Sequence, residues 1–127
     1  METAVIFNSI DWMITTIFIS TNKSISKGFK VLLAMRAVSL NYRDLLVARG
    51  PNGPQPNERV QCSAGVGEVL AVGPGVTEVK PGERVAGCFM PGWVDGRLTS
   101  AKAATALGGA WDGVLAERVV LPASGVI

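Results

Sequence analysis

Short stretches of β-prone, apolar residues alternate with glycine and proline along most of this chain. Residues 68–72 are β-prone and are followed by Gly-Pro-Gly at 73–75. Residues 80–83 (Lys-Pro-Gly-Glu) suit a tight turn, because proline fixes one φ angle and glycine accepts a positive one. The pattern predicts strand, turn, strand, turn and strand over residues 65–87.

The first forty residues hold further strand signals. Residues 12–20 are dense in β-branched and aromatic side chains, and we expect two strands over residues 4–20 with a turn at Asn8-Ser9. Residues 21–28 are polar and predict a loop. Residues 30–40 fit a helix or a strand by periodicity alone, but alternation around residues 35–38 and the flanking loop signals favour a strand.

Two short helices are expected among the remaining segments. Asn41 can cap a helix over residues 42–48, which Gly50-Pro51 would end. Residues 51–59 are turn-rich, residues 88–95 are irregular, and the alanine-rich residues 99–107 predict a loose helix broken by Gly108-Gly109. Residues 113–121 predict a last strand. Together these elements predict a mainly β fold, either a barrel or a sandwich, with one or two short helices.

Composition limits the functional classes. A chain of 127 residues with 48% apolar and 17% charged residues fits one globular domain. The net charge of +2 is too small and too scattered to predict a nucleic acid or an anionic membrane as partner. Two cysteines, Cys62 and Cys88, are too few for a disulfide framework, and we expect two buried thiols in a reducing, cytoplasmic setting.

The absence of histidine excludes several kinds of site. The chain can contain no Ser-His-Asp triad, no histidine base and no histidine-containing zinc site. The apolar residues 4–20 are interrupted by Asn8, Ser9 and Asp11, so no apolar run reaches the ~20 residues of a membrane span. Glu2 precedes them where a secretory signal would carry positive charge, so a signal or anchor is the less favoured alternative.

Four motifs occur in a characteristic order: Ala-Val-Ser-Leu-Asn-Tyr-Arg-Asp-Leu-Leu at 37–46, Gly-Val-Gly-Glu-Val at 65–69, Gly-Glu-Arg-Val at 82–85 and Asp-Gly-Val-Leu-Ala-Glu at 112–117. Together they resemble the N-terminal, GroES-like catalytic domain of the medium-chain dehydrogenase/reductase superfamily. Within it, the zinc-free, NADP-dependent alcohol dehydrogenase-like and quinone oxidoreductase-like branch is most similar. The resemblance covers about residues 30–127 and implies a partly open β-barrel, with residues 1–29 as divergent N-terminal strands and loop.

The resemblance also implies that no zinc is bound. In zinc-dependent relatives a cysteine followed three residues later by an aspartate supplies the first catalytic ligand, and here Asn41 and Asp44 occupy these two positions. The second ligand is the histidine of a Gly-His-Glu motif, which Ser63 replaces. Neither Asn41 nor Ser63 suits zinc, and the four-cysteine structural zinc lobe is absent too.

Site residues follow from the same resemblance. Asn41 and Tyr42 are expected to orient a substrate carbonyl and assist its protonation, because an amide or a phenol can donate a hydrogen bond to oxyanion charge. Arg43 could contact a cofactor phosphate, and Ser63 and Ala64 line the expected substrate cleft. Ala64 stands where this branch usually has an acidic residue.

Each of these positions has a structural alternative. Asn41 could be a plain helix cap, Tyr42 could pack in the barrel and Arg43 could be a solvated charge. Asp44 is expected to tie down the local backbone.

The implied activity is hydride transfer from NADP(H) to a quinone, an enone or another carbonyl compound. No glycine-rich dinucleotide fingerprint opens a helix after a strand in these residues, so we expect the nucleotide-binding Rossmann domain to be missing. The chain alone would then bind NADP(H) weakly and be nearly inactive.

The alternative is a non-enzymatic GroES-like interaction module. Such a module would form a homodimer or pair with a separate nucleotide-binding chain. Uncovered apolar residues such as Leu45, Leu46 and Val47 would favour association. A co-chaperonin role is disfavoured by the oxidoreductase motifs.

Overall fold

The computed structural model describes residues 28–50 and 59–127. Its strands are β1 (Lys30–Ser39), β2 (Ala64–Val72), β3 (Arg84–Ala86) and β4 (Arg118–Pro122), its α-helices are α1 (Tyr42–Arg49) and α2 (Ser100–Ala103), and a 3-10 turn covers Ala123–Gly125. The strands form one antiparallel sheet in the order β3-β2-β1-β4. The described part is therefore mainly β with few short helices, as expected for part of a GroES-like barrel.

β1 is the central strand of this sheet. It pairs with β2 from Val31↔Val72 to Ser39↔Ala64 and with β4 from Lys30↔Pro122 onwards. Its first half is buried at three successive positions, residues 31–33, so side chains on both faces of the strand are covered there. Register shifts lie between residues 32 and 33 and between 35 and 37, and such bulges bend a strand.

The core lies against β1, β2 and β4. Its buried members are Val31, Leu33, Cys62, Val69, Val85, Leu107, Val114, Val119, Leu121, Ala123 and Val126. The core therefore draws on every strand, on the segments that precede β2 and β4, and on the residues that follow β4. Each large aliphatic side chain removed from water contributes about 1.5–3 kcal/mol.

Both predicted turns between β2 and β3 are present. Val76 N–H donates to Gly73 O (3.3 Å) and Glu83 N–H to Lys80 O (3.2 Å), with positive φ values of 81° at Gly75 and 92° at Gly82. The strand predicted between the turns is wrong, because residues 76–80 are not in a strand. Two valines in that stretch, residues 76 and 79, pack against the core, and β3 pairs directly with β2.

The other elements agree with the sequence to different degrees. Strand β1 and helix α1 confirm the predictions for residues 30–40 and 42–48 within one residue. The loose helix over residues 99–107 is reduced to the four residues of α2, and the strand over 113–121 forms only in β4. The predictions for residues 1–27 and for 51–58 lie outside the described residues. Across the described part, no helix has the length and apolar character needed to cross a membrane.

The start of the predicted last strand follows a different path for a local reason. The backbone N–H groups of Gly113, Val114 and Leu115 donate to the carbonyl oxygens of residues 60, 62 and 61, at 2.8–3.0 Å. A Cβ at Gly113 would overlap the carbonyl oxygens of Gln61 and Cys62. This close backbone contact replaces strand pairing until residue 118.

Candidate functional site

Helix α1 begins at a mutual contact between Asn41 and Asp44. Asn41 is the N-cap residue with an extended backbone (φ −118°, ψ 154°), and its N–H donates to Asp44 Oδ2 at 2.8 Å. Asp44 N–H donates in return to Asn41 O at 2.9 Å. The Asp44 side chain is buried, which confirms that this residue ties down the local backbone.

The two expected catalytic side chains are accessible. Asn41 is exposed, and its Nδ2 donates to Ser39 O at 3.3 Å. Tyr42 is 72% exposed in the first turn of α1, so the alternative that it packs inside the barrel is wrong. Their catalytic roles stay predictions.

Arg43 is not a freely solvated charge. Its Nη1 donates to Leu107 O at 3.0 Å, and its guanidinium carbon lies 4.7 Å from the centre of the Phe89 ring. The arginine therefore joins α1 to two positions in the chain between β3 and β4. The expected contact with a cofactor phosphate stays a prediction.

Ser63 and Ala64 lie at the same end of the sheet as Asn41. Because Ser39 pairs with Ala64 in the antiparallel β1–β2 register, residues 41 and 63 both lie just beyond this last pair. Ser63 is buried, whereas Ala64 is half-buried at the start of β2. The fold thus gathers the expected site residues at one end of two neighbouring strands.

Cys62 contributes more to this region than the sequence indicated. It has a positive φ of 69°, which is uncommon for a residue other than glycine, and its side chain is buried. Burial raises the pKa of the Cys62 thiol, and the negative charge of Asp44 and a hydrogen bond to it raise that pKa further. Cys88 is only half-buried, so the expectation of two buried thiols holds for Cys62 alone. No pattern in the sequence signalled the pairing of Asp44 with a thiol.

A shallow groove of about 360 Å³ crosses the sheet next to these residues. Its walls are mostly small side chains from β1, β2 and β3: Ala37, Val38, Ser39, Ala64, Gly65, Val66, Ala86 and Gly87. A second groove of about 440 Å³ lies on the other side of β1, against residues 115–117. Of the two expected cleft residues, only Ala64 lines the first groove.

Two of the residues at this end of the sheet, Asn41 and Ser63, are not of the types that bind zinc. Asn41 and Ser63 carry neutral oxygen and nitrogen groups, whereas zinc sites use cysteine, histidine and carboxylate ligands. Within residues 28–50 and 59–127, no three His, Cys, Asp or Glu residues are grouped as a metal site would require.

Comparison with known proteins settles the family. The sequence model of the alcohol dehydrogenase GroES-like domain matches residues 27–127. The chain belongs to this family. It is thus an alcohol dehydrogenase-like, GroES-like domain of the medium-chain dehydrogenase/reductase oxidoreductases.

Individual relatives agree with this assignment. The chain is 36% identical over 100 residues to a zinc-type alcohol dehydrogenase-like protein of Schizosaccharomyces pombe, covering 77% of this chain and 29% of that protein. A crystal structure assigned as an alcohol dehydrogenase from Sinorhizobium meliloti 1021 is 43% identical, with a TM-score of 0.67 over 78% of this chain and 30% of that one. An NAD-dependent alcohol dehydrogenase structure is 32% identical, with a TM-score of 0.59 over 78% and 31%.

Shorter matches come from very large proteins. The polyketide synthase component PikAII of Streptomyces venezuelae is 45% identical over 58 residues, 46% of this chain and 2% of that protein. The chain spans about three tenths of the length of the alcohol dehydrogenase-like relatives.

Proposed function

We propose that this domain is the catalytic-type portion of a zinc-independent, NADP(H)-dependent oxidoreductase acting on quinone, enone or alcohol/carbonyl substrates. The observation that carries the proposal is the shared location of Asn41 and Ser63. Both lie just beyond one end of the β1–β2 pair, at the positions that the family resemblance assigns to zinc ligands. Because neither side chain suits zinc, the carbonyl group of the substrate would be polarised by neutral hydrogen-bond donors.

The exposed side chains at this end can supply such donors. The reduced nicotinamide would provide the hydride, which leaves negative charge on the substrate oxygen. The Asn41 amide and the Tyr42 hydroxyl both face solvent at the start of α1, where they can donate to that oxygen. Losing one oxyanion donor lowers turnover by about 10²–10³-fold in enzymes that depend on it.

The Asp44 carboxylate supports this arrangement without contacting a substrate. It is buried and accepts the Asn41 N–H at 2.8 Å, so it fixes the backbone that carries the Asn41 amide. A donor held in place before the reaction needs no reorganisation during it.

The name of one relative refers to zinc. The Schizosaccharomyces pombe relative is called zinc-type, whereas the residues at positions 41 and 63 of this chain are not zinc ligands. We therefore base the zinc-free proposal on this chain's own side chains.

A domain exchange tests the proposal. The 127-residue chain would replace the corresponding part of the 43% identical Sinorhizobium meliloti protein, which supplies the remaining residues of a full-length enzyme. We expect NADPH oxidation with a quinone, an enone or an aldehyde, unchanged after chelator dialysis, and no stoichiometric zinc by elemental analysis. One zinc per chain, with activity lost on chelation, would overturn the zinc-free assignment.

Two substitutions in the same domain-exchanged enzyme test the catalytic roles of Asn41 and Tyr42. Tyr42→Phe and Asn41→Ala are each expected to lower kcat by about 10²-fold. Tyr42→Phe should leave the unfolding midpoint nearly unchanged, whereas Asn41→Ala also replaces the N-cap residue and should cost about 1 kcal/mol of stability. Leu45→Ala, on the exposed side of the same helix, is the matched control and should retain turnover. Undiminished activity in Tyr42→Phe would remove that residue from the catalytic group.

One observation favours the second candidate, a self-associating interaction module. Leu45 and Leu46 are each 51% exposed and Leu40 is 80% exposed, so the start of α1 presents apolar surface. If this surface drives dimerisation, Leu45→Glu should convert a dimer to a monomer in sedimentation experiments. A monomeric wild-type chain would remove this candidate.

A further inference from the structure

The guanidinium of Arg43 bridges two parts of the chain that are 64 residues apart. Nη1 donates to Leu107 O at 3.0 Å, and the guanidinium stacks over the Phe89 ring at 4.7 Å. Arg43 lies between Tyr42 and Asp44 in the first turn of α1. Its contacts therefore determine where the N-terminal end of that helix is held.

Gly109 shows how closely the arginine fits. A Cβ at residue 109 would lie 2.5 Å from Arg43 Nη2, well inside normal contact distance. The Gly109 N–H donates to Trp111 O at 3.1 Å, so the backbone that lies against the guanidinium is itself held. Glycine at this position leaves the room that the guanidinium occupies.

The neighbouring Gly108 contacts the other half of the site. It has a positive φ of 66°, and a Cβ there would lie 2.8 Å from the carbonyl carbon of Cys62. The segment 107–109 thus lies against Arg43 of α1 and against the residue that precedes Ser63. It physically connects the two chain segments that carry the expected site residues.

We infer that Arg43 is a positioning residue, which clamps the start of α1 to the segment 107–109 and so sets the placement of Asn41 and Tyr42 relative to Ser63. This inference rests on the proposed function for its catalytic meaning. Binding a cofactor phosphate through two parallel hydrogen bonds would compete with the donation to Leu107 O and the stacking on Phe89. The observed contacts favour positioning over phosphate binding.

Nuclear magnetic resonance of the 127-residue chain tests the clamp directly. Gly109→Ala adds a methyl group that displaces the far end of the Arg43 side chain, while Arg43→Met removes the guanidinium. We expect both variants to shift the same backbone amide signals, those of residues 41–44, in the same direction. Arg84→Met, at an exposed arginine of β3, is the matched control and should leave those signals in place.

The possible results distinguish a positioning role of Arg43 from binding of a cofactor phosphate. Unchanged signals at residues 41–44 in Gly109→Ala would overturn the inference, because this substitution reaches those residues through the guanidinium. Titration of the wild-type chain with NADPH gives a second measurement. A saturable shift of the Arg43 side-chain signal, together with changes at Leu107 and Phe89 as those contacts are lost, would assign Arg43 to the cofactor instead.

Kinetic measurements on the domain-exchanged enzyme test whether the contacts of Arg43 affect catalysis. With Arg43→Met and Gly109→Ala we expect kcat to fall about tenfold or more through misplacement of Asn41, with KM for NADPH unchanged. A raised KM for NADPH at constant kcat would instead indicate phosphate binding. If the exchanged wild-type enzyme is inactive, the proposed function fails while the resonance shifts still decide the clamp.

Discussion

The Asp44 carboxylate accepts the backbone N–H of Asn41 at 2.8 Å, and Asp44 N–H returns a bond to Asn41 O at 2.9 Å. This pair fixes the first turn of α1 and holds the expected catalytic amide in place. The same buried carboxylate lies beside the Cys62 thiol, whose pKa it raises. Asp44 therefore combines a hydrogen bond at the start of the helix with a buried position, which makes its substitution informative.

Replacement of Asp44 by alanine should destabilise the domain by about 1–2 kcal/mol, because it removes an acceptor at a helix N-terminus. Asp44→Asn should cost less, since the amide retains an acceptor for the Asn41 N–H and loses only the charge. Urea unfolding followed by circular dichroism measures both. Equal unfolding midpoints for the two variants would show that the hydrogen bond contributes nothing.

The Cys62 thiol should make stability depend on alkaline pH. Its folded-state pKa is raised, first by burial and then by Asp44. The folded state therefore holds the thiol proton more tightly than the unfolded state does. The resulting stabilisation is fully present below the unfolded pKa of about 8.5 and is lost as the pH rises through the folded pKa.

Urea unfolding midpoints measured from pH 7 to pH 10 test this dependence. We expect the midpoint to fall above about pH 8.5 in the wild type and the fall to be smaller in Cys62→Ala. Cys88→Ala is the matched control, because it removes the other, half-buried cysteine of the described residues. Loss of the pH slope in the Cys88 variant would contradict the assignment to Cys62.

Substitution by alanine should lower the free energy of unfolding by very different amounts at Gly113 and at Gly82. A Cβ at Gly113 would overlap the carbonyl oxygens of Gln61 and Cys62, which are backbone atoms that cannot move independently. We expect Gly113→Ala to cost about 3 kcal/mol or more, in the range of severe overpacking. Gly82→Ala meets no atom within 4 Å and carries only the strain of its positive φ of 92°, about 1 kcal/mol.

Denaturant unfolding of the two glycine variants measures this difference. A cost for Gly113→Ala no larger than that for Gly82→Ala would contradict the effect of the close approach to residues 61 and 62, because Gly113 has no positive φ to strain.

Lys102 should order the loop that precedes α2. Its Nζ donates to Asp95 O and to Arg97 O (3.2 Å) and lies 3.9 Å from Asp95 Oδ1. Lys102→Met keeps the aliphatic stem and removes these donors, so backbone amide exchange over residues 95–99 should accelerate by about tenfold, the equivalent of one net hydrogen bond. Lys80→Met, at an exposed turn lysine, is the control, and equal exchange rates in the two variants would contradict the prediction.

The elements that the sequence predicts well are those fixed by local chemistry. The turns at 73–76 and 80–83 follow from the φ preferences of proline and glycine, and α1 begins at the asparagine expected to cap it. Family resemblance assigns Asn41 and Ser63 to ligand positions, which stays a prediction; the structure places both residues beyond one end of the β1–β2 pair.

Contacts between distant segments are what the sequence could not supply. Arg43 contacts Leu107, which is 64 residues away in the sequence. Asp44 lies beside Cys62 because the pairing of β1 with β2 brings α1 close to the start of β2. No local pattern encodes such a meeting, since it depends on the register of β1 with β2.

The sequence by itself therefore determined the mainly β class, the turns, the capped helix and the family motifs, because backbone preferences and side-chain types act over a few residues. The tertiary structure decided that residues 76–80 pack on the core instead of forming a strand, that residues 113–115 bond to residues 60–62, and that Arg43 is held at Leu107 and Phe89. Those outcomes depend on close packing between segments that are far apart in the chain. Such packing admits only arrangements in which the two backbones fit within a few ångströms of each other.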